Sequence, residues 1–174
     1  MVKFVHLHCH TDYSLYDGFM SPEELAKRAA ILEQPAVAIT EHGKAGGFIK
    51  FSKACKKHNI KPIFGCEMYL SHNIEVKRDK RYHILLLAKN NEGLKNLNRL
   101  SYIGHQQSAY SFPRITFDNL KAHAEGLIVL TACINGEIPQ MLIQDNEEEA
   151  FKLAKQYKEI WGDDFYLEID WHGL

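Results

Sequence analysis

The sequence predicts an α/β domain in which short apolar strands alternate with amphipathic helices, and three observations carry that prediction. Apolar runs of strand length recur along the chain, segments of helical periodicity separate them, and metal-binding residue types stand beside the runs. The runs cover residues 5–10, 36–40, 62–66, 84–88, 127–131 and 165–169. Runs this apolar suit strands buried on both faces, as in a parallel sheet covered by helices.

The helices are legible from caps and spacing. Ser21-Pro22-Glu23-Glu24 combines a cap, a first-turn proline and a capping-box glutamate ahead of Leu25, Ala26, Ala29 and Ala30. Leu94, Leu97, Leu100 and Ile103 repeat at helical spacing, as do Ala150, Leu153, Ala154, Tyr157 and Trp161. Asp145, with Glu148 three residues on, is the expected cap of that last helix.

The chemistry begins in the first run, Val5-His6-Leu7-His8-Cys9-His10. Side chains alternate along a strand, so His8 and His10 are expected on one side, about 6–7 Å apart, and Cys9 on the other. Two neutral imidazoles so placed can share one cation or bridge two. Further candidates follow the later runs: His42, Glu67 and Cys133 fall near strand carboxyl ends, where a barrel of parallel strands gathers its functional groups. His83 opens its run instead of closing it, so strand geometry alone does not bring it to that end. Nitrogen, oxygen and sulfur donors spread over several strands suit a multinuclear centre of Zn²⁺, Mn²⁺ or Fe ions. Such a centre can hold a phosphate and generate a hydroxide nucleophile, so phosphoester hydrolysis is the expected chemistry.

These residues also carry a family resemblance. The stretches 4–18, Thr40-Glu41-His42-Gly43, Gly65-Cys66-Glu67, Tyr82-His83 with Leu87-Ala88-Lys89-Asn90, and 131–138 resemble the N-terminal PHP (polymerase and histidinol phosphatase) domain of bacterial DNA polymerase III alpha subunits. The resemblance covers essentially the whole chain. It implies a seven-stranded PHP-type β/α barrel, with residues 1–174 forming the N-terminal portion of a larger polymerase chain and stopping before the last strand. It implies His8, His10, Asp17, His42, Glu67, His83 and Cys133 as metal ligands, with His6 and Glu41 standing behind them. Glu41 departs from the family's usual aspartate, which alters the ligands' surroundings more than the ligand set. The resemblance places the family's final Asp-x-His beyond residue 174 as an expectation, with Asp170-Trp171-His172 imitating its spacing.

Two functional classes follow from the resemblance. One is a metal-dependent phosphoesterase acting on the 3′ end of mispaired DNA as a 3′–5′ proofreading exonuclease. The other is a metal-braced platform for a separate exonuclease subunit, and a stand-alone histidinol-phosphate phosphatase is a more distant alternative. Either way the parent chain would be a DNA-directed polymerase with Mg²⁺ in a downstream site, and DNA and other replicase subunits as partners.

Composition narrows these classes. With 174 residues and 45% hydrophobic content the chain can bury one core. A net charge of −1 argues against strong general DNA binding by the chain. The charged stretch 75–81 reads as a solvated loop in preference to a nucleic-acid contact, although a basic loop near a phosphate site would help hold DNA. Four irregularly spaced cysteines suit a reducing cytoplasm, with Cys55 and Cys66 as small core residues. His58, His72, His105 and His123 read as surface residues. The absence of a signal peptide or a membrane-length apolar stretch gives a cytoplasmic expectation with no membrane partner.

Overall fold

A computed structural model describes residues 4–107 and 112–170, so Trp171 and His172 lie outside the described residues. The chain order is α1 (Pro22–Ile31), β1 (Ala36–His42), α2 (Phe48–Lys57), β2 (Lys61–Leu70), β3 (Tyr82–Ala88), α3 (Asn91–Gln107) and β4 (Arg114–Ile115). It continues with α4 (Phe117–Ala122), β5 (Leu127–Leu130), α5 (Glu137–Ile143), α6 (Glu147–Trp161), a 3₁₀ turn at Gly162–Asp164 and β6 (Phe165–Tyr166). The α1 start is as the sequence implies: Ser21 and Glu24 form a reciprocal capping box with proline in the first turn. The α6 start differs. Asn146 is its cap, because Asp145 takes a left-handed φ of 56° and is turned out of the helix.

The six strands form one mixed sheet in the order β1-β2-β3-β5-β6, with β4 paired to the end of β2. The parallel expectation holds for β1 with β2, β2 with β4 and β5 with β6, but β3 runs antiparallel to both neighbours. The physical reason lies in the connection. A parallel crossover needs a dozen or more residues, usually as a helix, and residues 71–81 supply only a polar loop between β2 and β3. Among the described residues β1 and β6 do not pair, so the sheet is open.

The opening segment is not the expected strand. His6 and Cys9, three residues apart, accept from the backbone N–H groups of Ala38 and Thr40, two residues apart. One residue is therefore extra, and the ladder breaks beside β1, as at a bulge.

Strand parity sorts the core. Cys66, Met68, Leu70, Ile84, Leu86 and Val129 pack outwards against α3, α4, α5 and α6, where Leu97, Leu100, Leu120 and Tyr157 are fully buried. Val37 and Ile39 meet Leu25, Ala26, Phe51 and Cys55 of α1 and α2. The opposite, inner face carries Ala38, Leu85, Leu87 and Leu130, and with Leu7, Ile63 and Leu167 it borders a cavity of about 830 Å³.

Asn90 Oδ1 accepts from Gly93 N–H at 3.0 Å in the first turn of α3. A Cβ on Gly93 would meet the Gly126 carbonyl oxygen at 1.8 Å. Gly→Ala in a helix ordinarily stabilises by about 1 kcal/mol. Here Gly93→Ala is expected to reverse the sign and cost about 1–3 kcal/mol through overpacking, read as a lower urea midpoint with unchanged slope.

Candidate metal centre

Parity and register bring the site together on the inner face. His42 ends β1 and is the register partner of Glu67 in β2, while Tyr69 is the partner of His83. Because β3 is antiparallel, its first residues lie at the edge where β1, β2 and β5 finish. This explains why His83 reaches the site although it opens its strand. Backbone contacts fix that edge further, His83 N–H donating to Asn135 O at 3.0 Å.

Glu67 is the hub. Its side chain is 1% exposed, and four imidazoles face its two oxygens. His83 Nδ1 lies 2.5 Å and His8 Nε2 3.5 Å from Oε1, while His42 Nδ1 lies 2.7 Å and His10 Nε2 3.3 Å from Oε2. Asp17 joins through His42, whose Nε2 is 2.6 Å from Asp17 Oδ2. Cys133 Sγ is 3.6 Å from His83 Nδ1 and 3.8 Å from Glu67 Oε1. It is aimed there by a turn in which buried Ala132 adopts a left-handed φ of 58°, a conformation that costs a non-glycine residue about 1–2 kcal/mol.

Glu41 holds the first motif from behind. Alternation turns it away from His42, and its fully buried carboxylate accepts from Thr11 N–H at 3.1 Å and from the hydroxyls of Thr11 and Ser14. Three donors offset the cost of burying the carboxylate. Ser14 Oγ also accepts from His42 N–H at 3.2 Å, so one hydroxyl ties the first loop to β1. The loop then closes at Gly18, where any Cβ would collide with Thr11 O, and this closure presents Asp17 to His42. His6 turns elsewhere: its Nδ1 is 2.5 Å from Gln34 Nε2, and its ring lies edge-on to Phe4.

Sequence reasoning missed Glu168. Its Oε1 lies 2.7 Å from His8 Nδ1, and its backbone N–H donates to Thr131 Oγ1 at 2.9 Å. A carboxylate near the end of the sixth apolar run was the available signal, just as Glu67 stands in the run ending β2. Such a partner sets which imidazole nitrogen is turned inward, here Nε2.

Three donor groups emerge: His8 with His10 and Glu67, His10 with Asp17 and His42, and His42 with Glu67 and His83. Within each group the ligand atoms lie within 4.8 Å of one another. Neighbouring groups share His10, His42 or Glu67, the pattern a multinuclear centre requires. Buried polar atoms rarely lack partners, yet His42 Nδ1, Glu67 Oε2 and Glu168 Oε2 have no hydrogen bond in this one place. Cations would satisfy them, so the residues fit a divalent-metal-binding site.

Burial alone would raise Glu67, but the imidazoles of His10, His42, His8 and His83 that face its two oxygens outweigh it and hold the carboxyl far below its usual range. Burial likewise opposes charge on His8, yet Glu168 and Glu67 lift it to about 10. His83 rises to about 9, with Cys133 and Glu67 overcoming its burial, and His42 is raised by Glu67 and Asp17 against the same penalty.

Fold and site define a divalent-metal-binding α/β domain of phosphoesterase type. Residues 6–172 match the PHP domain, and the chain belongs to that family. It is 39% identical over 180 residues to the DNA polymerase III subunit alpha of Treponema pallidum, covering 99% of this chain and 15% of that protein. It is 44% identical over 184 residues to the subunit from Helicobacter pylori, covering 98% and 15%. The Aquifex aeolicus subunit is 40% identical over 178 residues, covering 95% and 15%. The chain thus spans about 15% of the length of these curated relatives.

Three outcomes follow from this geometry. Raised imidazoles hold protons that a metal must displace, so metal affinity should climb from pH 6 to 9 with proton release, measured by calorimetry in buffers of different ionisation enthalpy. In the metal-free protein the same raised values stabilise the fold fully below pH 6.5, and that contribution is lost as pH rises through about 9–10. Glu168→Gln should weaken metal retention by about 10–100-fold in a chelator competition, because His8 loses its orienting carboxylate.

Proposed function

We propose that this chain is the PHP domain of a DNA polymerase III alpha subunit and that its metal centre hydrolyses phosphodiester bonds at the 3′ end of DNA. One observation carries the reading: donors from separate segments converge on a single buried carboxylate, Glu67. The similarity to several alpha subunits over nearly the whole chain supports the choice of parent protein. Residues 1–174 would then belong to one domain of a cytoplasmic replicase, with DNA, an exonuclease subunit and other replicase subunits as partners.

His8, His10, Asp17, His42, Glu67 and His83 would hold the ions, with Cys133 beside His83. The mixture of imidazole, carboxylate and thiol favours Zn, Mn or Fe over Mg, which belongs to a separate polymerase site. When bound, such ions supply Lewis-acid polarisation of a phosphoryl oxygen and an activated water.

The chain's own groups prepare the site. Glu168 holds His8 Nδ1, and Glu41 keeps the loop from Thr11 to Ser14 in place through the hydroxyls of those two residues. Tyr69 packs near His42 and His83, with ring centroids 5.9 and 5.3 Å away. Burial, with the charge of Glu67, pushes its phenol up to about 12. The hydroxyl therefore keeps its proton at neutral pH and can donate to an anionic substrate.

The test compares the wild type with a His8→Ala/His10→Ala variant, each purified without chelator. The variant should lose most of its bound Zn, Mn or Fe by elemental analysis, and 3′–5′ degradation of a mismatched primer should fall more than about 100-fold. Equal metal content would remove the first motif from the centre, and metal retention without hydrolysis of any DNA end would leave a bracing role.

A further inference from the structure

The metal cluster opens on one side into a polar pocket of about 410 Å³ lined by Arg78, Lys80, Arg81, His83, Asn135 and Gln140, with Asp79 and Tyr82 also on its wall. His83 belongs to both, so the pocket adjoins the cluster directly. Its charge is one-sided. Asp79, the acidic group of the wall, is engaged with the loop itself, accepting from Ser71 Oγ and Asn73 N–H, each at 2.8 Å. Among the described residues no carboxylate lies within ion-pair distance of Arg78, Lys80 or Arg81.

The loop that carries these cations is braced from beneath. Arg114, 5% exposed, extends its guanidinium to two loop carbonyls, Nη1 donating to Val76 O and Nη2 to Ile74 O, each at 2.8 Å. Asp79 N–H donates to Val76 O at 3.1 Å, closing a turn. The Arg81 guanidinium carbon sits over the Phe112 ring, 3.6 Å from its centroid, and 6.0 Å from the Tyr69 centroid. Stacking occupies the face of its guanidinium and leaves the N–H edges for hydrogen bonds. Gln140 is oriented by donating from Nε2 to Ile134 O at 2.9 Å. Fixed cations cost less entropy to use than mobile ones.

We infer that this pocket is a subsite for a second phosphate of a phosphodiester strand, next to the phosphate taken by the metal cluster. The inference rests on the proposed phosphoesterase reading and deepens it: a monoester would occupy the cluster alone, whereas a strand would occupy both. Guanidinium forks match phosphate oxygens, and each such pairing releases counterions. With a net charge of only −1, the chain has no general attraction for polyanions, so strand affinity depends on this local patch.

The probe is a short fluorescent single-stranded oligodeoxynucleotide, its binding to the metal-free chain followed by anisotropy across a salt series. Arg78→Ala/Lys80→Ala and Arg81→Gln should each weaken binding, and the slope of log affinity against log salt should shrink by about 0.7 for each phosphate no longer neutralised. Arg78, Lys80 and Arg81 are exposed, and an unchanged circular dichroism spectrum in each variant verifies the fold. Lys121→Ala/Lys155→Ala, an equal charge change on α4 and α6, should leave affinity and slope as they are. Equal losses in pocket and control variants, or no binding by the wild type, overturn the subsite. Inorganic pyrophosphate competing as well as the oligonucleotide at equal phosphate concentration overturns the strand assignment. Metal content is read on each protein as purified without chelator, before the metal is stripped for the anisotropy series: a wild type that carries no metal at that stage defeats the phosphoesterase reading, while the salt slopes still decide the pocket.

Discussion

One buried carboxylate among four imidazoles organises this molecule. An isolated ionised carboxylate inside a protein is costly, and a carboxylate at the position of Glu67 persists only because His8, His10, His42 and His83 face it. The dependence is reciprocal, since His8, His42 and His83 owe their raised proton affinity partly to Glu67. In the metal-free protein protons neutralise the cluster. With divalent ions present the same atoms exchange protons for cations, so metal binding and protonation compete for one set of lone pairs.

Around this hub the fold supplies rigidity in graded fashion. β1, β2 and β3 place His42, Glu67 and His83 by ladder register, which leaves little freedom. The first motif sits on an irregular segment, and its order comes from side-chain hydrogen bonds: Glu41 to Thr11 and Ser14, and Thr40 Oγ1 with Cys9 backbone N–H at 2.8 Å. Asp17 is the least constrained, half exposed on a loop and held through His42. Such a gradient lets part of the site adjust while the central ligands stay fixed.

The polar loop between β2 and β3 links topology to chemistry. Without a helix there, β3 must return antiparallel, and that return delivers His83 to the cluster and leaves a basic loop beside it. Buried Arg114, held against Ile74 and Val76, makes that loop part of the architecture.

Local chemistry determined much of this in the sequence itself. Caps and periodicity gave α1, α3 and the body of α6, because those signals involve neighbours a few residues apart. Alternation set Cys9 apart from His8 and His10, and Cys9 packs against the α1 and α2 cluster, while Cys55 and Cys66, expected in the core as small apolar residues, are fully buried. Tertiary structure decided the rest. The direction of β3 depends on how a connecting loop packs, the extra residue between His6 and Cys9 shows only once β1 lies alongside, and Glu168 meets His8 across 160 positions of chain. Hydrophobic period carries no information about strand direction or about which distant carboxylate will face an imidazole. Those are settled by long-range pairing, whose partners no local pattern specifies.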